Sequence, residues 1–255
     1  MKVRFLLMLA ACVCFPTGCV SQQRGAVCFT FDDYHGENWL KADPLFKKYN
    51  AHATFFIAGE ITEEKAEVMK KLQKSGHAIG LHSLHHTRAV PFIHEQSENK
   101  YIKEEIKPQL NVCRKHGIEV HSFAYPFSRR DDDSDRMLFR YFDHIRGGRP
   151  AEKTFYYPLK ELPEKCCFMG TGIGTKYGSE LSVLKEEMTH AAETDSVLVY
   201  YSHNIGSAGE VGGIGMRIDL LEELLAHAKK LNLRIVGFDE LKRLKTSRRI
   251  RSDRQ

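Results

Sequence analysis

This 255-residue chain has no apolar run long enough to cross a bilayer; Phe5 to Phe15 is about half of what a spanning helix needs. Internal repeats and low-complexity stretches are absent, which sets aside solenoids and disordered chains. None of the seven cysteines has CxxC spacing, so a cysteine-built metal site is excluded. The glycine-rich loop 206–215 lacks the Lys, with its following Ser or Thr, of a phosphate cradle. The acidic run after Arg129-Arg130 lacks the Gly and the closing Glu of an EF-hand. The formal charge of +5 is not a nucleic-acid signal. Residues 242–255 hold seven Lys or Arg against Asp253, and Lys2 and Arg4 add two more, so the body between them is net −3.

At 42% hydrophobic and 28% charged, the chain suits one globular domain with a sizeable core. Residues 1–20 read as a targeting segment, with Lys2 and Arg4 ahead of a short apolar run. Thr17-Gly18-Cys19 resembles a bacterial lipobox, although Pro16 stands where that pattern has Leu. Lipid attachment at Cys19 and ordinary signal cleavage both stand, and either exports the protein to the periplasm or cell surface. Residues 246–255 read as a basic tail and 21–245 as the domain. Export permits disulfides, but spacing does not pair the remaining cysteines, and Cys28 reads as a small buried hydrophobe.

Ala26 to Phe31 reads as a buried parallel strand, and it delivers Asp32 and Asp33 at its C-terminal end, where α/β proteins keep their chemistry. Two adjacent carboxylates repel unless a cation sits with them. A second apolar strand, within Gly76 to Leu81, leads to His82-Ser83-Leu84-His85-His86, in which His82 and His86 are one helical turn apart and can converge. Two imidazoles and one carboxylate leave a coordination position open, which is the layout of a catalytic zinc-type site. Each short motif alone reads more readily as an N-cap or a solvated helix face; their order along the chain sharpens them.

Thr30 to Asp33, Ala53 to Gly59 and Gly76 to His86 together resemble the opening blocks of the polysaccharide deacetylase family, the NodB-like domain of carbohydrate esterase family 4. Phe123-Ala124-Tyr125-Pro126-Phe127 and Tyr201-Ser202-His203 continue the resemblance, in order, across about residues 25–241. It implies a distorted (β/α) barrel of about seven strands and metal-assisted hydrolysis of an acetyl group on a sugar, N-acetyl ahead of O-acetyl. It also implies one divalent ion, zinc first and cobalt, nickel, iron or manganese as alternatives, held by Asp33, His82 and His86. Asp32 would be the general base and His203 the proton donor to the leaving group. The turn at Tyr125, Pro126 and Phe127 would supply an oxyanion-binding N–H and line the substrate site. One departure stands out: many relatives carry Arg at the position of Ala124, where it pairs with the catalytic Asp. Arg146 is the replacement expected, with Arg129 and Arg130 next. The implied partner is an acetylated cell-envelope glycan. Hydrolysis of a small amide or cyclic imide, and a decayed sugar-binding lipoprotein, are the alternatives.

Elsewhere, helices are expected from Leu40 to Tyr49, Thr62 to Ser75, across Pro91 to Gly117 as scaffold, Met137 to Phe142 behind a cap at Asp133 or Ser134, Leu181 to Glu193, and Leu220 to Leu231. Strands are expected at Ala53–Ala58, Ile79–Leu81, Val120–Tyr125, around His144–Arg146, at Val197–Tyr201 and at Arg234–Phe238. Residues 154–175 read as a strand-rich insertion covering the barrel. Trp39, the single Trp, reads as a packing anchor ahead of a sugar-stacking residue.

Overall fold

The computed structural model describes residues 25–148 and 153–244. The expected export segment, Cys19 and the basic tail lie outside the described residues. Seven parallel strands close into a barrel: β1 (Ala26–Phe31), β2 (Thr54–Ile57), β3 (Ala78–Leu81), β4 (Ser122–Ala124), β5 (His144–Gly148), β6 (Cys166–Gly172) and β7 (Ser196–Ser202). Six register pairs, from Ala26↔Val197 to Phe31↔Ser202, zip β7 back onto β1. The seams are uneven, since β1–β2, β3–β4 and β6–β7 share only two pairs each, and this is the distortion of the barrel.

Alternation along the strands decides what faces the interior. In β1, Ala26 and Cys28 enter the inner cluster with Phe56, Ala124, Phe168, Val197 and Val199, while Val27, Phe29 and Phe31 pack outward beneath the helices. With period two, Asp32 falls on the inner parity, as do Arg146 on β5 and Tyr201 on β7. Gly80 sits on that inner parity of β3, where an added Cβ would lie 2.4 Å from the Phe56 ring, so Phe56 fills the space the glycine leaves. Phe238 closes the bottom of the barrel against Phe56 and Phe168, with ring centroids 5.8 and 5.1 Å away.

Helices α1 (Gly36–Lys48) and α2 (Glu63–Lys74) cover the first strands, and Thr62 caps α2 by accepting from the Lys65 N–H. After α3 (Ala89–Glu95), the helix α4 (Glu98–Tyr101) runs through a π-helical turn, Ile102–Ile106, into α5 (Lys107–Lys115). Then come α6 (Asp132–Leu138), α7 (Leu181–Glu193) and α8 (Ile218–Lys230).

Several expectations are corrected. The segment read as an insertion contains β6, a barrel strand between β5 and β7, whose Cys-Cys-Phe-Met-Gly-Thr-Gly sequence shows no clean alternation because Gly170 and Gly172 sit against the Tyr201 ring. Helix α1 starts at Gly36, four residues before Leu40. The cap of α6 is Asp131, which accepts from the Ser134 N–H while Ser134 Oγ accepts from the Asp131 N–H. The last strand stops at Ile235, and Phe238 lies in a 3-10 turn.

Candidate active site

The loops leaving the C-terminal ends of β1, β3, β4 and β7 converge on one point. The order of the strands is what brings them together, since β1 has β2 and β7 as neighbours and β3 follows β2. Asp32 N–H donates to Ser202 O at 2.9 Å and His82 N–H to Ile57 O at 2.9 Å, extending the barrel by one residue at each strand end. Past that point the backbone bends sharply. Of the eight non-glycine residues with positive φ among the described residues, Asp33, Ser83, His86, Phe127 and Ser128 stand in the loops around this site. Such left-handed positions are costly away from Gly, Asn and Asp, and they persist where surrounding contacts over-determine them. The other three are Asn or Asp, which tolerate the conformation.

One imidazole–carboxylate cluster forms the centre. Asp33 Oδ1 lies 3.5 Å from His82 Nε2 and 3.3 Å from His86 Nε2, and the two Nε2 atoms are 3.2 Å apart. Among the described residues this is the one group of three or more His, Cys, Asp or Glu placed to share an ion. His82 is buried, and its Nδ1–H donates to Ala124 O at 2.8 Å, which fixes the tautomer and leaves a bare Nε2 facing the cluster. Burial pushes His82 below the ordinary imidazole range in spite of Asp32, so its neutral, ligand-competent form is favoured. Burial works against the charge on Asp33, but the adjoining His86 and the charges of His82 and His203 outweigh it and draw the carboxyl down to about 2. Two nitrogen donors and an ionised carboxylate oxygen that takes no hydrogen bond suit a zinc-type ion.

The expected helical spacing of His82 and His86 is corrected: residues 82–88 are loop. Positive φ at Ser83 and His86 folds the second imidazole back, and Ser83 Oγ accepts from the Thr87 N–H at 2.9 Å.

Beside the cluster, Asp32 Oδ2 is ion-paired with Arg146 Nη2. Arg146 is fully buried, with its guanidinium 4.6 Å from the Tyr201 ring centre and 5.4 Å from that of Phe56. Ala124 and Arg146 are register partners on β4 and β5, so a cation one strand over reaches the carboxylate that Ala124 cannot. The other candidates are elsewhere: Arg130 binds Asp132 and Asp135, and Arg129 is exposed. Asp32 Oδ1 takes no hydrogen bond.

His203 Nε2 is 3.8 Å from Asp33 Oδ2, and its Nδ1 meets Ile214 O at 3.2 Å, so the glycine-rich loop orients this ring. Trp39 is fully buried, packs 4.8 Å from Phe55 and donates Nε1–H to His203 O at 3.0 Å, which makes it an anchor and removes it from sugar stacking. In the turn after β4, Pro126 is buried and Phe127 is 54% exposed, its ring 4.6 Å from that of His86 and capped by Arg88. The Tyr125 side chain points away from the mouth. It has the outward parity of Phe123, and its hydroxyl donates to Asp135 at 2.8 Å beneath α6. Tyr201 and Phe56, the aromatic cover of Arg146, were not singled out for the site; strand parity would have placed both inside.

A family profile described as polysaccharide deacetylase matches residues 20–140, the stretch that holds the Asp pair, both loop histidines and the turn after β4. Over that stretch the chain is similar to the polysaccharide deacetylase family. It is 31% identical over 83 residues to a peptidoglycan-N-acetylglucosamine deacetylase of Bacillus cereus, covering 32% of this chain and 30% of that relative. It is 33% identical over 58 residues to the peptidoglycan-N-acetylmuramic acid deacetylase PdaA of Bacillus subtilis, covering 22% of each. The chain thus spans under a third of the length of these curated relatives. In fold, the chain resembles the peptidoglycan deacetylase PdaC of Bacillus subtilis, with a TM-score of 0.56 at 15% identity over 91% of this chain and 96% of that one. It likewise resembles the structure of Bacillus subtilis PdaA, described as a family 4 carbohydrate esterase, with a TM-score of 0.55 at 16% identity over 86% and 81%.

Proposed function

We propose that this protein is a metal-dependent deacetylase acting on an N-acetylated glycan of the cell envelope. The observation that carries the reading is the placement of the buried Asp32–Arg146 pair against the Asp33–His82–His86 cluster at the C-terminal mouth of the barrel. Bound there by Asp33, His82 and His86, a divalent ion, zinc foremost, supplies Lewis acidity toward water and toward the acyl oxygen. Asp32 accepts the proton of the attacking water on Oδ1, the oxygen that Arg146 leaves free. Arg146, ion-paired with its other oxygen, keeps that carboxylate aimed. The Phe127 N–H, at a turn held by Ser128 N–H donating to Tyr125 O, is the donor assigned to the oxygen that gains charge. His203 Nε2, its ring oriented through Nδ1, gives a proton to the leaving amine.

The curated relatives named for N-acetyl sugars of peptidoglycan support the choice of N-acetyl and of cell-wall material, and the export segment read from residues 1–20 agrees with that location. The convergence of all five ionisable groups speaks against a decayed binding protein. The deciding experiment is acetate release from peptidoglycan, chitin oligosaccharides, poly-N-acetylglucosamine and acetylated xylan, with a cyclic imide as a small-molecule arm, each with and without chelator. Chelator-sensitive acetate from an N-acetylated glycan is expected. Activity on the imide alone, or acetate release that chelator leaves untouched, overturns the reading.

A further inference from the structure

The helical stretch that reads as scaffold reaches the metal loop through one buried carboxylate. Glu105 is 2% exposed, yet it belongs to the π-helical turn of a surface helix. Its Oε2 accepts from the His85 backbone N–H at 2.8 Å, and its Oε1 accepts from Thr87 Oγ at 2.9 Å and contacts His85 Nδ1 at 3.0 Å. The Glu105 carbonyl accepts from the Leu84 N–H at 3.1 Å. Every residue from Leu84 to Thr87 except His86 is therefore tied to Glu105, and His86 is the one that faces the cluster.

The π-helical turn explains how an acid comes to lie there. Tyr101, Glu105, Gln109 and Cys113 are all buried at a spacing of four, a row that drifts around an α-helix with 3.6 residues per turn. A π-turn takes in an extra residue and cancels part of that drift, keeping the row on the inner face. The same row sets Gln109 Nε2 against Ile57 O and Gly59 O at 3.1 and 2.8 Å, bracing the loop after β2. A buried carboxylate is costly unless its lone pairs are filled, and here the metal loop is what fills them.

We propose that Glu105 is a positioning residue for the metal centre, holding the 82–88 loop so that His82 and His86 point at Asp33 before an ion arrives. The inference rests on the metal reading above, and its test reads metal binding without substrate. Zinc affinity is measured by chelator competition, and the cobalt-substituted protein is followed by its visible absorption, for the native chain, Glu105→Ala, Glu105→Gln and Glu105→Leu. Outer-shell partners of metal ligands are worth roughly 10- to 100-fold in affinity, so a loss in that range and an altered cobalt spectrum are expected for the Ala and Leu variants. Glu105→Gln should recover part of the loss, because its carbonyl oxygen still accepts from the His85 N–H. The Leu variant fills the buried volume without an acceptor and carries the test if the Ala cavity unfolds the chain. Affinities within twofold of native in the folded Ala or Leu variant, with an unchanged cobalt spectrum, overturn the role of Glu105. Absence of zinc binding by the native chain overturns the metal centre itself.

Discussion

Asp32 and Asp33 are chemically identical neighbours that the fold sends into different work. Asp33 follows the turn out of β1 with φ at 75° and joins two imidazoles, while Asp32 keeps the inner parity of the strand and meets Arg146. Replacing Asp33, His82 or His86 by Ala removes one of the three proposed protein ligands, so elemental analysis should find most of the metal gone from each variant. Asp32→Asn should keep the metal and lose roughly two to four orders of magnitude in turnover, because the amide keeps the shape but accepts no proton. Metal loss together with the activity would show Asp32 to be a ligand instead. Arg146→Met should retain metal and lower turnover. Breaking the buried pair also leaves a carboxylate without its partner, at a cost of roughly 3–5 kcal/mol in stability, readable by denaturant unfolding.

At the scale of elements, the bottom of the barrel is as demanding as the mouth. His144 opens β5, is 2% exposed, and lies 5.7 and 6.1 Å from the rings of Phe168 and Phe238. Burial lowers it from 6.5 to about 4, with Asp143 opposing. The folded state therefore binds a proton less readily than the unfolded chain, and stability is lost as pH falls from about 6.5 toward 4. His144→Phe should flatten that part of the stability–pH curve by up to about 3 kcal/mol, the full cost of a shift of that size at a buried site. A curve that still falls by the same amount would assign the dependence to His77, which burial also lowers to about 4, in spite of Asp43. The π-helical turn makes a related point: a Lys- and Glu-rich surface helix gives no hint in its composition that one Glu is structural, because the register change that buries it is not a compositional signal.

For the whole molecule, the proposed ligands come from the ends of β1 and β3, which are brought together by the β2 that pairs with both. An ion bound by the native state and not by the unfolded chain should stabilise the entire barrel, by about 2.7 kcal/mol when free zinc is 100 times its dissociation constant. Calorimetry with and without chelator should show this as a rise in unfolding temperature, and His82→Ala should abolish it. An equal rise in that variant would place the stabilising ion at another site.

Much of this was legible in one dimension. A continuous buried strand ending in two Asp and a second ending in the histidine loop sufficed for an α/β fold, barrel or doubly wound sheet, with a metal-type site at its strand ends, and the family resemblance carried by the order of the motifs chose the barrel. Helix α7 falls on the residues its amphipathic pattern marks, because that pattern is local. What only the tertiary structure decided involves partners distant in sequence. The pairing of Arg146 with Asp32 across 114 residues follows from β5 lying in register beside β4, and sequence reasoning could nominate the arginine but not place it. β6, within a stretch read as strand-rich, was not read as a barrel strand because its glycines answer to the Tyr201 ring that packs on them and not to a period of their own. Hydrophobic periodicity reports the face an element buries; which charged group meets which depends on strand order and register, and those exist only once the barrel is closed.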